Sequence, residues 1–411
     1  MLRYIISGSV KSDPSVSTLQ NYLRIRSVHP NVDYNECINF LKNEAEKIGL
    51  QVQVVEPLPK KPTLVMTWLG EQPELPSILL NSHMDVVPVF ENSWKHPPFA
   101  AEIENNVIYA RGVQDMKSVG IQYIEAVRRL KENGVKLKRT VHLSFVPDEE
   151  IGGDTGMGKF VQTDDFKNMN VGFALDEGVA SPNDDYLVFN GERIIWHVKI
   201  TCPGKSGHGS LLLPDNCGEK LRYIIDKFMD LRQESVKKLA DNPQLTIGDV
   251  TSVNLTMISG GIQNNVVPEQ FTANFDLRIA LNVDLKEFEN MIQKWCTEAG
   301  RGVTYEFKQK DPYTTPTQLD DANIYWKAFK QTAQELRMSI KPQTFTGGTD
   351  SRYLRELGIP ALGFSPIHNT TPALHEHNEH LGLDVFINGI AVYQSIIREV
   401  ANVKHTTRTK P

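Results

Sequence analysis

The sequence predicts an α/β fold, a mixed sheet at least partly parallel, interrupted by an inserted ferredoxin-like α+β domain. Three hydrophobic runs, at 78–80, 141–146 and 171–175, read as buried strands, and residues 117–131 between them carry helical spacing. Strand runs alternating with helical patterns favour a partly parallel sheet. Residues 192–311 follow a different grammar. A strand at 194–200 precedes a long helix at 218–239 and a second strand at 250–258. Next, Phe271, Ala273, Phe275, Leu277 and Ile279 alternate with Thr272, Asn274, Asp276 and Arg278, a period of two that gives a strand one packed and one polar face. Leu285, Phe288, Ile292 and Trp295 mark a helix, and 303–307 a last strand. The order β-α-β-β-α-β is that of a ferredoxin-like split unit. The expected division is therefore 1–191 with 312–411 as one domain and 192–311 as the other.

Bulk properties exclude several functions. A chain of 411 residues exceeds one ordinary core, and 40% hydrophobic with 23% charged residues is a globular composition. A net charge of -6 leaves no basic footprint for nucleic acid. No apolar run approaches the roughly 20 residues that span a bilayer, and residues 1–7 turn polar too soon for a secretory segment. Cys37, Cys202, Cys217 and Cys296 form no CxxC pair and read as reduced core thiols, so a cytoplasmic location is expected.

Acidic and imidazole clusters follow all three strand runs: His83-Met84-Asp85, Asp148-Glu149-Glu150 and Asp176-Glu177. Sites in open α/β sheets form outside the carboxyl ends of strands, so the clusters are expected in one crevice. A fourth candidate, Asp115, stands where a helix begins. Singly, each has an ordinary reading: an N-cap, a solvated turn or a surface pair. Together they suit a pair of metal ions. Zinc takes imidazole and carboxylate ligands, and a bridging carboxylate can hold two cations about 3.5–4 Å apart. Asp85 is expected to accept the second ring N–H of His83. In Glu149-Glu150, one carboxylate can bind metal while the other serves as general base.

Read in order, the segments 81–88, 110–117, 146–150, 176–178, 207–210, 348–350 and 374–377 resemble the M20 family of metallopeptidases, and within it the aminoacylases. The resemblance implies a zinc-peptidase-like catalytic domain with an inserted lid that carries the dimer contact. It implies hydrolysis of N-acyl-L-amino acids to a carboxylate and a free amino acid, with two Zn²⁺ per subunit. Asp115 would bridge the ions, His83 and Asp176 completing one site, Glu150 and His375 the other. Glu149 would be the general base, supported by Asp85. His208, on the lid, would stabilise the oxyanion in the partner subunit's site. Asn265 would bind substrate, as would Gly347 and Gly348. Arg278 or Arg352, or both, would grip the substrate carboxylate through the guanidinium fork, with surface ion pairing as the ordinary alternative. Other readings are an M20 dipeptidase or carboxypeptidase, or a catalytically silent metal-binding dimer. Two positions depart from the expected pattern: Ser351 stands where Asn is expected, and Asn378 where Asp is frequent.

Several motifs are set aside. Residues 153–159 have P-loop spacing, but Phe160 follows where a hydroxyl is needed, so the segment reads as a turn. The run 375–380 lacks HExxH spacing, leaving His375 as its one expected ligand. His29, His96, His142, His197, His368 and His405 are assigned to packing or exposure.

Overall fold

Eight strands form one mixed sheet in the order Gln51–Val55, Thr63–Trp68, Val141–Val146, Ser77–His83, Val171–Asp176, Ala361–Phe364, Asp185–Glu192 and Ser339–Phe345. The structure, a computed structural model, describes residues 10–404; the readings of residues 1–7 and of His405 lie outside the described residues. Strand Ser77–His83 runs parallel to both neighbours, and Ala361–Phe364 runs parallel to Val171–Asp176. Four central strands thus end at the same edge. The two strands that lead into His83 and Glu149 are buried along their whole length, which is why they read as continuous apolar runs. Helix Lys117–Glu132 is buried nearly all round, and Tyr123 packs on Tyr393 of helix Leu383–Ala401 with ring centroids 4.6 Å apart.

The chain divides into two compact units. The first comprises Met1–Asn190, Pro316–Pro342 and Thr349–Pro411; the second comprises Gly191–Thr315 and Gln343–Gly348. Sequence reasoning leaves 343–348 with the first. Hydrogen bonds explain the difference: Arg193 donates its backbone N–H to the Phe345 carbonyl and its guanidinium to the Thr346 carbonyl.

In the second unit an antiparallel sheet runs Ser252–Gly260, Gln270–Ile279, Ile194–Pro203 and Thr304–Lys310. Numbered along the chain, that is the order 2-3-1-4, and with helices Cys217–Asp241 and Leu285–Ala299 it makes the ferredoxin-like unit. The alternating apolar residues of Gln270–Ile279 face a core of Trp196, Val198, Phe228 and Ile292, where Phe228 stacks on Phe275 at 4.0 Å. A two-stranded ribbon pairs Gly207–His208 with Val266–Val267. Among the described residues no helix is long and apolar enough to cross a membrane. All four cysteines are buried and unbridged.

Candidate active site

His83 is the last residue of its strand and is fully buried. Its Nδ1 lies 2.9 Å from the Asp85 carbonyl oxygen, which can only accept, so Nδ1 is the protonated nitrogen. Nε2 then faces the carboxylates, 3.0 Å from Asp115 Oδ1 and 3.6 Å from Glu177 Oε2. The other oxygen of Asp115, Oδ2, lies 3.4 Å from His375 Nε2, which is also 3.0 Å from Glu150 Oε2. His375 is held at φ 61, in the left-handed region that costs a non-glycine residue energy. One ligand atom each from His83, Asp115 and Glu150 falls within 4.8 Å of the others, and the same holds for His83, Glu149 and Glu177.

The Asp85 carboxylate does not take the role expected of it. Its Oδ1 is 3.7 Å from His83 Nδ1 and instead accepts the Glu149 N–H at 3.2 Å, while Oδ2 accepts the Glu150 N–H at 3.0 Å. Asp85 therefore holds the turn that presents both glutamates, and it orients His83 through its main chain. Nε2 of His29, assigned from sequence to packing, lies 2.8 Å from Asp85 Oδ2, and this hydrogen bond raises the His29 pKa.

Asp176 is drawn elsewhere. Its Oδ1 accepts from Asn81 Nδ2 at 3.0 Å and from the Glu177 N–H at 2.9 Å, and its Oδ2 accepts from the Ser351 hydroxyl at 2.8 Å. The carboxylate brought against His83 is its neighbour Glu177, which the sequence places in the same cluster but does not single out as the ligand. The departure at Ser351 now has a structural partner, and Asn378 has one in the Lys95 N–H, 2.6 Å from its Oδ1. Glu379, which sequence reasoning missed, binds the backbone that leads into Asp115.

The electrostatics are those of a cation cage. Burial pushes Glu149 and Glu177 well above the usual carboxylate range, and each is raised further by a neighbouring carboxylate, Glu177 and Asp115 respectively. Burial raises Glu150 as well, with Asp115 adding to it. Hydrogen bonds to Asp115 and Glu150 push His375 up to about 10. Burial would raise Asp115 too, but hydrogen bonds to His375 and His83 lower it on balance. Oε1 of Glu150 is buried without a hydrogen-bond partner among the described residues. Four crowded carboxylates, two imidazoles and an orphaned oxygen suit hard or borderline divalent cations, so the residues present fit a metal pair.

Asp148 anchors the turn from below. It accepts from Tyr34 Oη at 2.8 Å, from Lys61 Nζ at 2.5 Å and from Thr155 Oγ1 at 2.6 Å. The segment 153–159 is a turn only as far as Gly156, since Met157–Phe160 is a short helix; the turn folds back on this point, with the Gly153 N–H donating to the Asp148 carbonyl at 2.8 Å. A Cβ on Gly156 would meet the Pro147 carbonyl oxygen at 1.8 Å, so only glycine fits there.

In the second unit, the ribbon pairs His208 with Val266, and Asn265 accepts the Gly209 N–H at its carbonyl. His208 is exposed, with Nδ1 2.8 Å from the Ser210 hydroxyl. Gly347 and Gly348 end the short segment Gln343–Gly348. Arg278 spends its fork on Asp276, at 2.7 and 3.0 Å. Arg352, in the first unit, donates to the Gly152 carbonyl.

This fold and donor set define a metal-dependent hydrolase. Residues 79–399 match Peptidase family M20/M25/M40, and the chain belongs to that family. Among its relatives, Aminoacylase-1 of Mus musculus is 49% identical over 393 residues, which cover 95% of this chain and 96% of the relative. Aminoacylase-1 of Homo sapiens is 46% identical over 96% of this chain and 97% of the relative. An M20 family metallo-carboxypeptidase from Sulfolobus solfataricus shares the fold with TM-score 0.73 and 20% identity, covering 95% of this chain and 99% of its own. A dinuclear metal binding peptidase of the M20 family from Bacillus subtilis superposes with TM-score 0.66 and 18% identity, over 94% and 98% of the two chains.

Proposed function

We propose that the protein is a dinuclear zinc amidohydrolase that cleaves N-acyl-L-amino acids to a carboxylate and a free L-amino acid. The observation that carries the chemistry is Asp115, whose two oxygens face two different histidines. The substrate class rests on the relatives named Aminoacylase-1, 46–49% identical over nearly the whole chain. His83, Asp115 and Glu177 would hold one ion; Asp115, Glu150 and His375 would hold the other. When bound, such ions polarise the scissile carbonyl and make water acidic enough to attack near neutral pH.

The chain's own residues do the rest. Glu149, with its N–H fixed by Asp85, takes the proton from water and returns it to the amide nitrogen as the C–N bond breaks. His208 donates to the oxyanion in the partner subunit's site, Asn265, Gly347 and Gly348 bind substrate, and Arg278 or Arg352, or both, grip its carboxylate. The first unit is the catalytic domain, and the second is a lid through which two copies pair. Supporting the pairing, strand Ser252–Gly260 is an edge of its sheet and exposes Met257 and Ile258. The four free, buried thiols support a cytoplasmic location for the protein.

The deciding experiment combines metal analysis of purified protein with a panel of N-acyl amino acids and unblocked dipeptides. Two zinc ions per chain and turnover of N-acetyl-methionine, with little of the dipeptides, are expected. Preference for a free amino terminus would make it a dipeptidase. Metal binding without turnover of any amide would make it a silent metal-binding protein.

A further inference from the structure

Two loops of the first unit feed the more open end of the carboxylate cluster. Residues 111–115 end in Asp115, and residues 371–380 carry His375. Each loop is held by a side chain of the other. Glu379, fully buried, accepts at Oε1 from the N–H groups of Gln114 (2.6 Å) and Asp115 (3.2 Å). Its Oε2 accepts from the Gly112 N–H at 3.0 Å and from Arg111 Nη1 at 2.7 Å. In return, Gln114 Nε2 donates to the carbonyls of Thr371 (3.1 Å) and His380 (2.8 Å), and its Oε1 accepts the Ala373 N–H at 3.0 Å. Every polar atom of both side chains is used.

Burying a carboxylate is costly unless charge and hydrogen bonds compensate it. Arg111 and three backbone N–H groups do so here, and what they secure is the backbone on either side of the cluster. The two clamp side chains bond to main chain and to Arg111, so their effect on the cluster passes through Asp115 and His375. The two ends of the cluster do not depend on the clamp equally. His83 ends a buried sheet strand, and its ring is fixed by the Asp85 carbonyl. His375 stands on an irregular loop at φ 61 with its side chain 57% exposed, and no sheet positions it.

We infer that Gln114 and Glu379 are positioning residues, a reciprocal clamp that sets the affinity for the cation held by Asp115, Glu150 and His375. The inference rests on the dinuclear reading above. It separates the two ions: the first site takes only its shared ligand, Asp115, from the clamped loops, whereas the second takes both Asp115 and His375 from them.

The test is calorimetric titration of the full, metal-stripped chain with Zn²⁺, repeated with Co²⁺ to follow the absorption of each site. Wild type should take two cations. In Glu379→Gln and Gln114→Met the second binding event should weaken by roughly 10–100-fold, the range for losing an outer partner of a metal ligand, with the first weakened less because it shares only Asp115 with the loops. The cobalt spectrum should keep one site's bands and lose the other's. Gln114→Met leaves the Arg111–Glu379 pair intact, so it decides the matter if Glu379→Gln fails to fold. Wild-type titrations in the folded variants, or equal weakening of both events, overturn the clamp. A wild-type chain that takes only one cation overturns the dinuclear reading, and the inference with it.

Discussion

Asp115 and His375 meet through a single oxygen: Oδ2 lies 3.4 Å from the imidazole Nε2, while Oδ1 is committed to His83 at 3.0 Å. A carboxylate divided in this way links the two proposed cation sites, which share no other residue. An amide in its place offers one good donor oxygen and an N–H₂ that repels a cation. Asp115→Asn should therefore bind fewer than two metal ions per chain after gel filtration and lose activity. Full occupancy in that variant would show that the bridge is unnecessary.

Glu149 differs from Glu150 in what surrounds it. Burial raises both, but the hydrogen bond to Nε2 of His375, 3.0 Å away, offsets part of the rise at Glu150, whereas Glu149 is raised further by Glu177. A carboxylate raised in this way is a better proton acceptor. Glu149→Gln should lower kcat by about 10²–10⁴-fold, the usual contribution of a general base, with metal content and KM near wild type. Retained turnover would remove Glu149 from the proton path.

Much of the architecture was legible because burial leaves a periodic trace. The runs at 141–146 and 271–279 coincide with strands Val141–Val146 and Gln270–Ile279, and the spacing at 117–131 with helix Lys117–Glu132. Elements joined by distant pairing were not read. Strand Asp185–Glu192 pairs with Ala361–Phe364, about 170 residues on, and nothing local announces that partner. At the site, residue types and strand-end positions were legible, but the choice between adjacent carboxylates was not. Asp176 is still strand, one step past the Leu80–Leu175 register pair, so its short side chain meets Asn81. Glu177 has left the strand and, one methylene longer, reaches His83.

That distinction is testable in one pair of variants. Glu177→Gln should release a cation and cut activity. Asp176→Asn should keep both cations but lose about 1–3 kcal/mol of stability, because the bonds from Ser351 and the Glu177 N–H lose a charged acceptor. Metal analysis and chemical denaturation of the two proteins read both outcomes. The reverse pattern, with metal lost from Asp176→Asn only, would return the ligand role to Asp176.

His142 gives a pH dependence away from the metal cluster. It sits in strand Val141–Val146 with Nδ1 2.9 Å from the Thr67 hydroxyl, and burial lowers its pKa from 6.5 to about 4. The folded chain therefore resists protonating this ring, while the unfolded chain accepts the proton below pH 6.5. The stability at stake is complete above that unfolded value and drains away as pH falls toward 4, by about 3 kcal/mol in all. His142→Gln, which cannot titrate, should escape this loss. The stability of the variant relative to wild type should be constant above pH 7 and improve by about 3 kcal/mol between pH 7 and pH 4 in urea denaturation of metal-free protein. A difference that does not change with pH would mean that His142 protonates equally in the folded and unfolded chains.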